Sequence, residues 1–277
     1  MQRNLDFIYI GTPKAGSTWL FEALGEHPDV RLFPSKSSKH FETETPGPIS
    51  EYREQLDLLP QGGKTGEISH DVYLYPGNAK LLAENFPDAK IIVCLREPGD
   101  FAKSMLLWLQ THTFVYGSDA KAMAQHPILR AALDFVGQLK PYYDAFPADQ
   151  IKVVFFDDLR ADPSQFYNEI CDHIGVSTSF RPAVLDEVIN PARGPRFEWF
   201  THSVYRAGVV FRALGLGGLV EDVKRWPIME TLLYKERDTI DPSVLDTAAT
   251  EREQAKPSFD ALEKLIGREL PAHWREA

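Results

Sequence analysis

The chain has 277 residues, 43% apolar and 25% charged, which is the composition of a globular protein with a sizeable core. Its 30 basic and 40 acidic residues leave a net charge of −10. That argues against bulk nucleic-acid or acidic-membrane binding, though not against a local basic pocket for a small anion.

Four apolar runs read as buried parallel strands: Phe7–Ile10, a weaker Thr65–Ser69, Lys90–Leu95 and Ile151–Phe156. Helical patterns follow at Ser17–Glu26, Pro76–Asn85, Gly99–Gln110, Ile128–Ala145 and Pro163–Ile174. This alternation predicts an α/β fold, a P-loop-like three-layer sandwich with a central parallel sheet and helices on both faces. Ligands of such folds bind where the carboxyl ends of strands lead into helices. After Gly194 no convincing strand remains, and amphipathic patterns surround "VVFRALGLGGLVEDV" and "SFDALEKLIGREL". We expect one domain, with an α/β core over residues 1–197 and a helical extension over 198–277. The stretch Glu236–Lys256 is charged and weakly periodic, the pattern of a mobile loop or lid. Cys94 and Cys171 form no disulfide framework and read as buried free thiols, which suits a reducing compartment. The opening "MQRNLDFIYIG" enters a strand without a signal-like apolar region, and no apolar run is long enough to span a membrane. A cytoplasmic location without a membrane span is the expectation.

The first strand runs into "GTPKAGSTWL". A strand, a Gly-containing turn and a helix start make a ready anion site, because the helix N-terminus presents unpaired N–H groups and a partial positive charge. Gly16 permits close backbone approach, Ser17 and Thr18 can cap the helix or bond a ligand oxygen, and Lys14 adds a charge. A nucleoside-triphosphate loop would place lysine directly after the second glycine, where this chain has Ser17. It would also need a carboxylate for magnesium at a later strand end. The strand Lys90–Leu95 ends instead in Arg96, whose planar fork suits a phosphate, and Ser104 lies one to two turns into the next helix. The alternative is that Arg96 merely pairs with Glu97 or Asp100. Together the two loops point to a ligand with two separate anionic groups and no required metal.

The two loops resemble those of sulfotransferases that use 3′-phosphoadenosine 5′-phosphosulfate (PAPS), with bacterial members of the carbohydrate-type branch most similar. "PKAGSTWL", Pro13–Leu20, resembles the loop that cradles the 5′-phosphosulfate, and "REPGDFAKS", Arg96–Ser104, the segment that binds the 3′-phosphate, with Glu97 in place of the usual Asn or Asp. "VVFFDDLRADP" and "LEKLIGRELPAHW" are similar to a later strand end and a C-terminal tail of the family. The resemblance implies that Lys14, Ala15, Gly16, Ser17 and Thr18 hold the 5′ end, Lys14 also neutralising the leaving group. It implies Arg96 and Ser104 at the 3′-phosphate and Trp19 near the adenine, a buried helix residue being the alternative for Trp19. In "NPARGPRF", Arg193 and Gly194 fit a segment that closes over the 3′-phosphate, with Arg196 a second candidate and a Pro-rich connector the alternative.

An acceptor hydroxyl must lose a proton as it attacks sulfur, so a general base is wanted. The family's K-E-P-H-F-F segment corresponds to "SSKHFE", which puts Ser38 in place of the usual glutamate. His40 is the first choice, Glu42 the second, and Glu67 in "GEISHDVYLY" the third, with His70 and Asp71 beside it. His112 could also face the acceptor, though no family motif supports it. The expected activity is metal-free, in-line transfer from PAPS to a hydroxyl on a carbohydrate, glycolipid or other small molecule, with 3′-phosphoadenosine 5′-phosphate (PAP) as product. The competing classes are a P-loop small-molecule kinase and a non-catalytic PAPS-binding protein.

Overall fold

The computed structural model describes residues 3–111, 120–186, 193–195, 234–236 and 240–276. Five strands, β1 (Phe7–Gly11), β2 (Val30–Leu32), β3 (Lys64–Ile68), β4 (Lys90–Leu95) and β5 (Ile151–Phe155), form one sheet in the order β2-β3-β1-β4-β5. Every pairing is parallel, with Phe7 opposite both Gly66 and Lys90 and Ile91 opposite Ile151. The fold is thus the expected P-loop-like α/β sandwich.

Both faces of the sheet are buried, and successive side chains divide between them. Ile8, Ile10, Ile91, Val93 and Leu95 pack on one side with α3 (Asn78–Asn85), α4 (Pro98–Thr111) and α7 (Phe135–Ala145). Phe7, Tyr9, Ile92, Cys94 and Val154 pack on the other with α1 (Ser17–Gly25) and α9 (Pro163–Ile174). Cys94 and Cys171 are buried and unbridged.

Several elements differ from expectation, each for a physical reason. The edge strand β2 has only three residues, too few for a periodic signal. Helix α2 (Ile49–Asp57) is polar and buries only Tyr52 and Leu56. The expected helix Ile128–Ala145 is two helices, α6 (Pro127–Leu133) and α7, because Asp134 leaves the helical region (φ −80°, ψ 69°) and its side chain accepts from Gly137 N at the start of α7. Two short helices, α5 (Ala120–Ala124) and α8 (Phe156–Ala161), complete the core.

Much of Glu236–Lys256, read above as a loop or lid, is the helix α10 (Pro242–Ala255), which packs along α4. Its buried stripe is Val244, Thr247, Ala248 and Glu251. The spacing is helical, but a threonine and a glutamate occupy half the stripe, which explains the weak apolar period. Asp241 caps it by accepting from Ser243 N at 2.8 Å. Helix α11 (Phe259–Ile266) then packs on α7, and the fully buried Trp274 donates from Nε1 to Asp157 at 3.1 Å. The boundary expected at 197/198, the pattern at 209–223, most of Asn190–Phe197 and His112 lie outside the described residues.

Candidate active site

The loops leaving β1, β3, β4 and β5 open on one cleft of about 1010 Å³ at the carboxyl edge of the sheet. That volume would hold a nucleotide together with a small acceptor. Lys14, Lys36, Arg96, Lys103 and Arg160 line it against two carboxylates, Asp71 and Asp100. A strongly acidic chain therefore has a cationic cleft, in which low-dielectric walls would focus the field on an anion.

The first loop is held from three sides. Tyr9 Oη donates to the carbonyl of Ala15 at 3.2 Å, and Thr12 donates from both N and Oγ1 to the carbonyl of Cys94 at 2.9 and 3.0 Å. Gly16 caps α1 in the left-handed region (φ 83°), and a Cβ there would sit 2.7 Å from Leu159 Cδ2. Only glycine meets both demands. The first turn of α1 then faces the cleft with Ser17 and Thr18. Their hydroxyls each accept a hydrogen bond at 3.0 Å from Lys36 Nζ, a cation that the family pattern did not single out. Burial pushes the Lys36 pKa down to about 8. Lys14 is likewise lowered, first by burial and then by Arg96.

Arg96, at the end of β4, donates from Nη1 to the carbonyl of Lys14 at 2.8 Å and stacks over the Phe156 ring at 4.5 Å. Its Nε is buried without a hydrogen-bond partner, in a residue that lines the cleft. The two carboxylates that could have claimed this guanidinium have other partners. Asp100 pairs with Lys103 at 2.6 Å and Arg160 at 3.6 Å, and Glu97 pairs with Arg252 at 2.9 Å. Ser104 lines the same cleft from α4. Trp19 reaches the lining too, yet it is mostly core: it is 5% exposed, edge-on to Phe166, and donates from Nε1 to the carbonyl of Val184. Arg193 and Gly194 lie in the short strand β6 (Arg193–Pro195), paired antiparallel with β7 (Tyr234–Glu236).

The three candidate bases sit behind the cleft wall and are not among its lining residues. His40 packs against Phe41 and Tyr52, its Nε2 is buried without a partner, and burial lowers its pKa. Glu67 is fully buried and takes hydrogen bonds from Ser37, Ser38 N, Ser38 Oγ and Tyr52. Burial raises its pKa in spite of those donors. Ser38, which stands where the family pattern has its glutamate, thus serves with Ser37 to hold this one. Burial alone would raise the pKa of Glu42, but hydrogen bonds from Lys39, Ser37 and Ser69 hold it below the ordinary value.

The first titratable groups to line the cleft after β3 are His70 and Asp71. Their Nε2 and Oδ1 atoms are 3.5 Å apart, and Glu42 lies beside them. Burial, then Glu42, pushes Asp71 up to about 6, whereas burial and then Lys36 push His70 down to about 4. Near neutral pH this corner presents a carboxylate and a neutral imidazole. Glu42, His70 and Asp71 have ligand atoms within 4.8 Å of one another, a spacing that would suit a metal ion, though Lys36 and Lys39 oppose a further cation there. Leu74, Tyr75, Met105, Trp108 and Ile128 add an apolar and aromatic wall.

A parallel α/β sheet with two cationic loops at its carboxyl edge defines a P-loop-like protein. Residues 73–180 match the sulfotransferase family. Sulfuryl transfer is the chemistry of that family, and the match spans the middle of the chain. The matched segment includes the second anion loop but not the first. A crystal structure of a sulfotransferase from Alicyclobacillus acidocaldarius is similar over 100% of both chains, with TM-score 0.66 and 23% identity. The sulfotransferase STF9 from Mycobacterium avium gives TM-score 0.51 at 13% identity over 96% of this chain and 78% of that one. The sulfotransferase domain of the Synechococcus PCC 7002 olefin synthase gives 0.50 at 16% identity over 98% of both chains. At these identities the likeness is one of fold. No curated protein sequence matches the chain. No helix among the described residues is long and apolar enough to cross a membrane.

Proposed function

We propose that the protein moves the sulfuryl group of PAPS to an acceptor hydroxyl. The observation that carries this reading is the Arg96–Lys14 hydrogen bond, which brings two separately encoded cationic loops to one cleft. Bound there, PAPS supplies the sulfuryl group and departs as PAP.

In this reading the first turn of α1, over Gly16, Ser17 and Thr18, holds the 5′-phosphosulfate with backbone N–H groups. Lys14 and Lys36 neutralise the charge that grows on the departing phosphate, a stabilisation made in the transition state. Arg96 and Ser104 hold the 3′-phosphate. Asp71 takes the acceptor proton, because it lines the cleft and a carboxylate pushed up to about 6 is a competent base near neutral pH. His40, Glu42 and Glu67 then support the acceptor wall from behind. The mixture of Tyr75 and Trp108 with Leu74 and Ile128 favours an acceptor hydroxyl on a ring or on another scaffold with an apolar face.

Turnover of sulfur-labelled PAPS against a panel of sugars, glycolipids, alcohols and phenols tests the reading, together with calorimetry of PAP against magnesium-ATP. Tight binding of PAP and label transfer to a hydroxyl are expected. Preference for magnesium-ATP would return the kinase reading, and PAP binding without transfer to any acceptor would favour a binding protein.

A further inference from the structure

Glu97 stands where the family resemblance expects Asn or Asp. Its side chain is almost completely buried and accepts four hydrogen bonds. Two come from Gly99 N and Asp100 N at the start of α4, at 2.9 and 2.6 Å. The other two come from Nε and Nη2 of Arg252 on α10, at 2.9 and 3.1 Å. A Cβ on Gly99 would lie 3.1 Å from Arg252 Nε and 3.2 Å from the carbonyl oxygen of Ala248, so α10 is seated directly on this turn. The carboxylate caps α4 and occupies the positive end of its dipole, which leaves side chains to receive an anion at the second loop.

A buried carboxylate one residue along the chain from Arg96 would oppose a phosphate arriving at this turn unless its charge were matched. Arg252 matches it in bidentate geometry, from a helix 155 residues further along the chain. Asp100, the other carboxylate on this turn, is matched by Lys103 and Arg160. We infer that Arg252 is a positioning residue for the second anion loop, one that neutralises Glu97 from the C-terminal helix and so leaves Arg96 and Ser104 free to receive a 3′-phosphate. The inference rests on the reading of that loop as the 3′-phosphate site. It also explains why a glutamate is tolerated there: its extra methylene lets one carboxylate reach both the helix amides and Arg252.

The test is calorimetry of the full chain with PAP and with AMP, which lacks the 3′-phosphate, alongside thermal melts. The wild-type protein should prefer PAP. Arg252→Gln should cut that preference about tenfold or more while AMP affinity holds, the order of effect expected of an unmatched charge close to a binding phosphate. Glu97→Gln in the Arg252→Gln background should restore the preference by removing the unmatched charge, which a purely structural role for the pair would not do. Arg252→Lys should be intermediate, because it keeps the charge and loses the fork. If Arg252→Gln does not fold, the lysine variant and the double variant carry the comparison. An undiminished preference in Arg252→Gln or Arg252→Lys, or no recovery in the double variant, overturns the inference. A wild-type protein that binds PAP and AMP equally would instead remove the 3′-phosphate reading beneath it.

Discussion

Nη1 of Arg96 donates to the carbonyl oxygen of Lys14 at 2.8 Å, bridging 82 residues of sequence. The cation proposed for one end of the ligand therefore also braces the loop proposed to hold the other end. A change at either loop is transmitted to its neighbour, and the proposed roles differ in how cleanly they can be separated by mutation.

Lys14→Ala is expected to lower turnover with labelled PAPS by roughly 100- to 1000-fold, the usual loss when one transition-state donor is removed. PAP affinity, measured by calorimetry, should fall much less, because the charge that Lys14 meets grows as the phosphate departs. Near-normal turnover in this variant would sink the assignment.

Ser104→Ala is the cleaner probe of the 3′-phosphate, since Arg96→Ala also strips the brace on Lys14 and the stacking on Phe156. Both should weaken PAPS and spare adenosine 5′-phosphosulfate, with a loss of about tenfold for the serine, in line with one hydrogen bond to a charged group. Arg96→Ala should in addition lower turnover. Equal losses for the two nucleotides would contradict the assignment.

The pH profile of kcat/KM should be a bell. Asp71 must be deprotonated to accept a proton, so activity falls as the pH drops through about 6. Lys36 must be protonated to serve the anion, so activity falls again as the pH rises through about 8. Asp71→Asn should abolish the acid limb and lower turnover by roughly 100- to 10,000-fold. Lys36→Ala should abolish the alkaline limb. His40→Ala, Glu42→Gln and Glu67→Gln should each act less severely on turnover. A dead His40 variant beside an active Asp71→Asn would move the base back to the histidine.

Dialysis against EDTA should leave turnover unchanged, because Arg96 stands where a magnesium carboxylate would be needed and lysines surround the Glu42–His70–Asp71 group. Loss of activity, restored by magnesium or zinc, would make that group a metal site.

Much of the fold was legible in the sequence. The runs Phe7–Ile10, Lys90–Leu95 and Ile151–Phe156 are continuous and apolar because parallel strands covered on both faces have no polar side to show, and the structure places strands there. The strand–turn–helix at Gly11–Thr18 and the cation ending β4 were equally readable, since chain-local geometry alone sets them. Short or polar elements escaped. Helix α10 hid because Thr247 and Glu251 share its buried face, and the break at Asp134 hid because a side-chain cap interrupts an otherwise unbroken helical pattern.

The partners of the charged groups were a different matter. The sequence by itself determined the two loops proposed to bind anions, because a glycine turn leading into a helix N-terminus and a cation at a strand end are properties of consecutive residues. Only the tertiary structure decided that Lys36 reaches Ser17 and Thr18, that Ser37 and Ser38 engage Glu67 away from the cleft, that Asp71 rather than His40 lines it, and that Arg252 answers Glu97. A buried charge takes whatever counter-charge packing brings within hydrogen-bond reach, and that choice depends on where distant helices settle on the sheet rather than on any spacing along the chain.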